Sequence, residues 1–81
     1  MSVNDCMNDV SLPVLIRTHM ASHFACLARA KDLPTLSLSA ERAEGFVEGV
    51  EASRALTPAT IEVLFLVIDN AATARRKELT E

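Results

Sequence analysis

The chain has 81 residues, of which 49% are hydrophobic, and a formal net charge of −3. A chain of this length forms one domain, is too small to enclose an active site, and carries the wrong charge balance to attract nucleic acid or an anionic membrane. Its three aromatic residues and two glycines favour an all-α fold over a sandwich or barrel, which need many turn residues.

Residues 1–10 lack hydrophobic periodicity and contain two Asn, two Asp and a Ser, which predicts a flexible leader. The leader contains no lysine or arginine, so we expect no secretory signal. Cys6 and Cys26 allow at most one bridge, which favours reduced thiols in a cytoplasmic protein. No apolar run approaches the length of a membrane span.

A single helical domain, residues 11–81, should follow the leader, and its first helix is predicted over residues 12–31. Ser11 is the expected N-cap, and Pro13 is tolerated in the first turn. The apolar stripe is spaced by three and four residues and consists of Leu12, Ile16, Met20, Phe24 and Leu27. Pro34 disfavours helical geometry at the residue before it, so residues 32–35 are interpreted as a linker.

The second helix is predicted over residues 40–54, with Ser39 as its N-cap. Its apolar stripe comprises Ala43, Phe46, Val47 and Val50. Gly45 and Gly49 lie one turn apart beside this stripe, and each costs up to about 1 kcal/mol relative to alanine. Two interpretations stay open: another backbone comes close at the glycines, or they are simply tolerated.

The third helix, predicted over residues 58–79, is the longest and most apolar. Thr57 and Pro58 form its start, and the cations of residues 75–77 suit its end. One side carries Ile61, Leu64, Phe65, Ile68, Ala71, Ala72 and Leu79. The alternative is a β-strand over residues 61–68, since this run is rich in β-branched residues.

Short connections between these helices predict an antiparallel three-helix bundle. A second apolar side of the third helix exceeds what two short partner helices can cover. We therefore expect a homodimer, with an interface formed by Val63, Leu66, Val67 and Ala74. The alternative is a monomer in which the third helix is simply central.

His19, His23 and Cys26 lie on one strip of the first helix, at spacings of four and three residues. This geometry can present nitrogen and sulfur ligands to zinc or copper, but a fourth ligand is missing. We therefore predict no metal and no cofactor. The favoured interpretation is a pair of half-buried histidines at a helix interface, which packs or responds to pH.

Four carboxylates, those of Glu41, Glu44, Glu48 and Glu51, recur at spacings of three and four on the second helix. They form a simple solvated face, or they bind a basic surface on a partner protein by charge complementarity. Paired acid–base catalysis is not indicated, because the acids lie on a convex surface. Nucleophile, phosphate-loop and metalloprotease motifs are absent from the sequence, so we predict a non-enzyme.

Residues 55–64 resemble the second half of a helix-turn-helix, which implies a DNA-binding regulator as the alternative function. Thr57–Thr60 would then lie near DNA, and Arg75–Lys77 would contact phosphates. The likeness departs at Glu51 and Arg54, where the family has a small and an apolar residue.

A second resemblance involves Glu44–Val50, a Gly–aromatic–aliphatic–x–Gly–aliphatic helix that leads into a capped long helix. This pattern resembles segments of small phage- or plasmid-encoded accessory proteins of bacteria. The resemblance implies a stoichiometric inhibitor or adaptor that occupies a surface of a host protein. The function predicted from the sequence is therefore a non-catalytic protein-binding module with a basic protein partner.

Overall fold

A computed structural model describes residues 12–81, which form three α-helices and contain no strand. The helices are α1 (Val14–Arg29), α2 (Leu33–Ala52) and α3 (Pro58–Thr80). The prediction of an all-α fold with a long C-terminal helix is thereby confirmed for these residues. The predicted leader 1–10, with Cys6, and the predicted cap Ser11 lie outside the described residues.

The first helix begins at Val14, two residues later than predicted, and Pro13 occupies its N-cap position without a side-chain cap. Pro13 has extended backbone angles, which keep it outside the helix. Met20, Phe24 and Leu27 of the predicted stripe are buried, and Leu12 and Ile16 pack against them partly buried. The helix ends at Arg29, because Ala30 turns to extended geometry.

The second helix begins at Leu33, seven residues earlier than predicted, and this part of the sequence interpretation is wrong. Asp32 is the N-cap, with its carboxylate accepting a 2.8 Å hydrogen bond from the Thr35 amide. The hydroxyl and the amide of Thr35 both lower the pKa of Asp32. Pro34 falls in the first turn, where its missing N–H costs nothing. The proline that was interpreted as a linker residue therefore lies in the first turn of the helix, and Ser39 lies inside it.

The connection from α2 to α3 is a five-residue turn that contains a strained position. Arg54 has φ 59°, a left-handed conformation that side chains other than glycine rarely adopt. Its amide donates to the Glu51 carbonyl at 3.0 Å, which helps to close the end of α2. The Thr57 hydroxyl then accepts from the Thr60 amide at 3.3 Å, as the predicted cap requires.

The core is formed where all three helices pack on one another, and α3 supplies much of it. Five residues of α3 are buried: Ile61, Leu64, Val67, Ile68 and Ala72. The strand alternative for residues 61–68 is wrong, because these residues lie inside α3. The earlier start of α2 adds Leu36 to the core, a residue that lies outside the predicted helix 40–54.

One polar contact ties α3 to the end of α1. The Arg75 Nε donates to the Ala30 carbonyl at 2.9 Å, and an Arg75 guanidinium nitrogen lies 3.7 Å from the Glu78 carboxylate. Ala30 is buried, so its carbonyl depends on this donor. The bond holds the turn between α1 and α2 against the last third of α3.

Replacing Arg75 by alanine should lower the free energy of unfolding by about 1–2 kcal/mol, because a partly buried carbonyl loses a charged donor. The measurement is the urea midpoint followed by circular dichroism. Arg76→Ala is the matched control, since Arg76 is exposed on the next residue of the same helix. Equal destabilisation by the two variants would show that the contact with Ala30 contributes nothing.

Candidate functional site

The four predicted carboxylates lie together on the outer side of α2. Glu41, Glu44, Glu48 and Glu51, here called the acidic face, are all exposed. Among residues 12–81, none of them forms an ion pair with another described residue. Arg42 is exposed on the same stretch of helix, so four carboxylates stand against one guanidinium. The face is available to an external cation.

Phe46 of α2 brings the two histidines of α1 together. The ring centroids of His19 and His23 each lie 5.3 Å from that of Phe46, with interplanar angles of 40° and 41°. Such tilted contacts contribute packing energy beyond area burial. His23 is half-buried, as predicted, but His19 is exposed, so the prediction of two half-buried histidines is wrong for His19.

Cys26, the third member of the predicted strip, is a free and exposed cysteine. Within residues 12–81, no group of three or more His, Cys, Asp or Glu residues is arranged to hold a metal ion. Burial, and then the nearby charge of His19, lower the pKa of His23. The two histidines therefore contact Phe46 as neighbouring aromatic rings, and burial of His23 disfavours its protonated form.

A groove of 490 Å³ runs between α1 and α2 beside this aromatic contact. The residues that define it are Leu15, Ile16, His19, Gly45, Phe46 and Gly49. A Cβ placed on either glycine would meet no atom within 4 Å. No other part of residues 12–81 comes close at the position of either added Cβ. They leave the wall of the groove open to solvent.

The acidic face borders the groove. Residues three and four apart are neighbours on a helix surface, so Glu41 and Glu48 flank Gly45. Leu15, on the opposite wall, is 74% exposed, which is a large apolar area for a residue without a partner. The groove is thus lined mainly by apolar residues, and Glu41 and Glu48 lie outside that lining, beside Gly45 on the side away from Phe46.

The predicted dimer interface is split by the structure. Leu66 is 57% exposed and Val63 37% exposed, and Ala74 is also exposed. Val67, which was assigned to the same interface, is 9% exposed and belongs to the core of its own chain. The exposed patch on α3 therefore consists of Val63, Leu66 and Ala74.

The residues of the helix-turn-helix alternative also have defined places. Thr57 caps α3, and its hydroxyl oxygen lies 3.0 Å from that of Thr60 in the first turn. Arg75 is engaged by the Ala30 carbonyl and Glu78, which leaves Arg76 and Lys77 as the exposed cations of that cluster. The start of α3 exposes Ala59, Glu62 and Val63, and the cation next to it is Arg54 of the preceding turn.

A second, smaller cleft lies where α2 turns into α3. Its volume is 350 Å³, and it is lined by Glu51, Arg54, Leu56, Pro58 and Ile61. The Arg54 side chain reaches it from the strained turn position. The cleft joins the end of the acidic face to the start of α3.

Sequence reasoning missed the groove, although part of its signal was present. Val14, Leu15 and Ile16 are three consecutive apolar residues, and a helix cannot direct all three to one core. Val14 and Leu15 are in fact 78% and 74% exposed. The contribution of α2 was indicated by Gly45 and Gly49, but their spacing does not show that α1 lies next to them.

Comparison of the chain with protein-family models, curated proteins and solved structures finds no match. Within residues 12–81, no helix is both long and apolar enough to cross a bilayer. The likeness of residues 44–50 to phage and plasmid accessory proteins therefore stays a prediction.

The lowered pKa of His23 predicts a pH-dependent stability. The unfolded chain binds the proton more readily than the folded chain, so stability should fall as the pH drops below 6.5, the ordinary imidazole value, and level off below the folded-state pKa. The chain has only two histidines, so both are readily followed by NMR titration. His23 should titrate below 6.5.

His19→Gln is the matched variant for this measurement. It removes the smaller of the two causes, so the pKa of His23 should rise only part of the way to its ordinary value. A His23 resonance that titrates at or above 6.5 in the unaltered chain would contradict the assigned burial.

Proposed function

We propose that this chain is a small, non-catalytic protein-binding module that docks a basic surface of a partner protein on its acidic face. The observation that supports the proposal is the set of four exposed carboxylates that form no ion pair with residues 12–81. Carboxylates spaced by three and four residues on one helix repel each other. Cations from a partner would relieve this repulsion and speed the encounter.

The setting of the acidic face favours binding over catalysis. The face lies on the outer side of a 20-residue helix whose opposite side is packed in the core. Its carboxylates are therefore presented on a rigid, convex surface, which suits recognition and does not enclose a substrate. A rigid surface also loses little conformational entropy on binding.

The resemblance of residues 44–50 to phage- and plasmid-encoded accessory proteins supports a stoichiometric mode of action. On this proposal the chain acts stoichiometrically, in the cytoplasm, on a host protein as an inhibitor or adaptor. Gly45, Phe46 and Gly49, which carry the resemblance, line the groove next to the acidic face. The segment that suggested this style of action is thus also the segment exposed to a partner.

Antiparallel packing of the three helices and pairing through α3 belong to the same proposal. Short connections, residues 30–32 and 53–57, favour antiparallel neighbours. Exposed Val63 and Leu66 favour pairing. Removing large apolar side chains from water lowers the free energy of the pair relative to the separate chains. Val67 is left out of the proposed interface because it is buried in its own chain.

Neutralising the acidic face should abolish capture of the partner. The immobilised full chain is exposed to an extract of its native cells, and bound proteins are quantified by mass spectrometry at low and high salt. Glu44→Gln with Glu48→Gln should lose a basic protein that the unaltered chain retains at low salt.

Glu62→Gln with Asp69→Asn is the control for this capture, since it removes the same amount of charge from exposed positions of α3. It should keep the partner. Loss from both double variants would mean that net charge alone is responsible, and retention by both would refute the proposal.

Two substitutions one residue apart should separate pairing from folding. Leu66→Glu should convert a dimer into a folded monomer, because Leu66 is 57% exposed. Val67→Glu should instead unfold the chain, because it buries a charge without a partner. Sedimentation velocity and circular dichroism measure the two effects. A monomeric unaltered chain at micromolar concentration would remove the proposed pairing.

A further inference from the structure

The groove between α1 and α2 has the apolar lining and open access that a docked helix requires. Its floor is apolar, and it is flanked by Leu15 on α1 and by the exposed surface of α2 at Gly45 and Gly49. The two glycines lie one turn apart and have open space above them. Since nothing in the described chain uses this space, the missing side chains allow an external backbone to approach α2 closely.

The charges around the groove indicate which helix would fit. Glu41 and Glu48 stand beside Gly45 and form no ion pair with a described residue. Arg42 lies on the other side of Gly45, in line with Phe46 and Gly49, so the guanidinium is on the groove side and the two carboxylates form the opposite rim of α2. A helix lying on the glycines would place one flank along this rim, and lysine or arginine on that flank would complement it.

We infer that the groove binds one amphipathic helix of a partner protein, with an apolar stripe against Leu15 and Phe46 and with cations on the flank that faces Glu41 and Glu48. This inference rests on the proposed function and names the element of the partner that docks. Apolar anchors at helical spacing in a groove, with charges that fix orientation, are a recurring mode of peptide recognition.

Two other occupants fit the charges less well. In a second copy of the chain, the exposed patch on α3 is accompanied by Glu62 and Asp69, which would bring carboxylates against the acidic rim. The N-terminal segment of the chain carries Asp5 and Asp9 and no lysine or arginine. The α3 patch of a second copy and the N-terminal segment would therefore each place carboxylates beside Glu41 and Glu48, where a basic flank would be complementary.

The probe for this inference is a displayed library of 18-residue peptides. The library has a fixed helical apolar stripe and random residues elsewhere, and it is selected against the full chain. Enriched peptides should carry lysine or arginine on one flank of the stripe. Backbone NMR shifts caused by the best peptide should centre on Leu15, Gly45, Phe46 and Gly49.

Filling the groove provides the decisive variant. Gly49→Leu should weaken the best peptide by about tenfold or more, because a side chain then occupies the space of the docked helix. Gly49→Ala should weaken it less. Neither should harm folding, since the Cβ of each meets no atom within 4 Å at an exposed position and both residues favour helix over glycine. Ala25→Leu, at an exposed position on the far side of α1, is the control and should leave affinity unchanged.

The outcomes distinguish the inference from the proposed function. Peptides that lose affinity with Glu44→Gln and Glu48→Gln but not with Gly49→Leu would keep the acidic face as a docking surface and overturn the groove. Enrichment of acidic peptides, or no enrichment, would overturn the groove and its basic flank. A dimer that dissociates with Gly49→Leu would make a second copy the occupant and overturn the inference. The capture experiment tests the proposed function independently of all these results.

Discussion

Burial of one side of α3 by α1 and α2 is the constraint on which the rest of the structure depends. Ile61, Leu64 and Ile68 are almost fully buried, and they meet the apolar stripes of both other helices in one core. A short helix gains little stability from its own hydrogen bonds, so this packing holds the helices in place. It also decides which surfaces remain exposed. The acidic face, the groove and the α3 patch are the surfaces that are not buried in this core.

The same constraint explains which parts of the fold could be predicted from the sequence. The side of α3 that begins with Ile61 and Leu64 is defined by local periodicity, and the structure buries or half-buries all of it. Val67 was assigned elsewhere because a helical wheel gives the direction of a side chain but not the width of the surface that neighbours cover. That width depends on how α1 and α2 are spaced. Spacing is a tertiary property without a local signal.

The start of α2 shows a different limit of sequence reasoning. Pro34 restricts the residue before it, and this pointed to a linker. A proline in the first turn of a helix satisfies the same restriction, provided that a cap precedes it. Asp32 supplies this cap through Thr35, so the ambiguous signal is resolved by the side chain two residues earlier. The acidic face was easier to predict, because it lies wholly within one helix, whereas the groove needs two.

The two proposed contact surfaces can act together because they share no residue. The α3 patch would be covered in the proposed pair, while α2 keeps its acidic face and its side of the groove exposed. Each pair would then present two docking surfaces to a partner. If the partner is itself oligomeric, the second contact becomes intramolecular, and its effective concentration depends on the distance between the two surfaces. A weak single contact, as expected for one helix in a shallow groove with an acidic rim, would then be sufficient for stable occupation of the partner. Pairing through α3 therefore has a functional consequence: it would turn one modest docking surface into a bivalent one without enlarging an 81-residue chain.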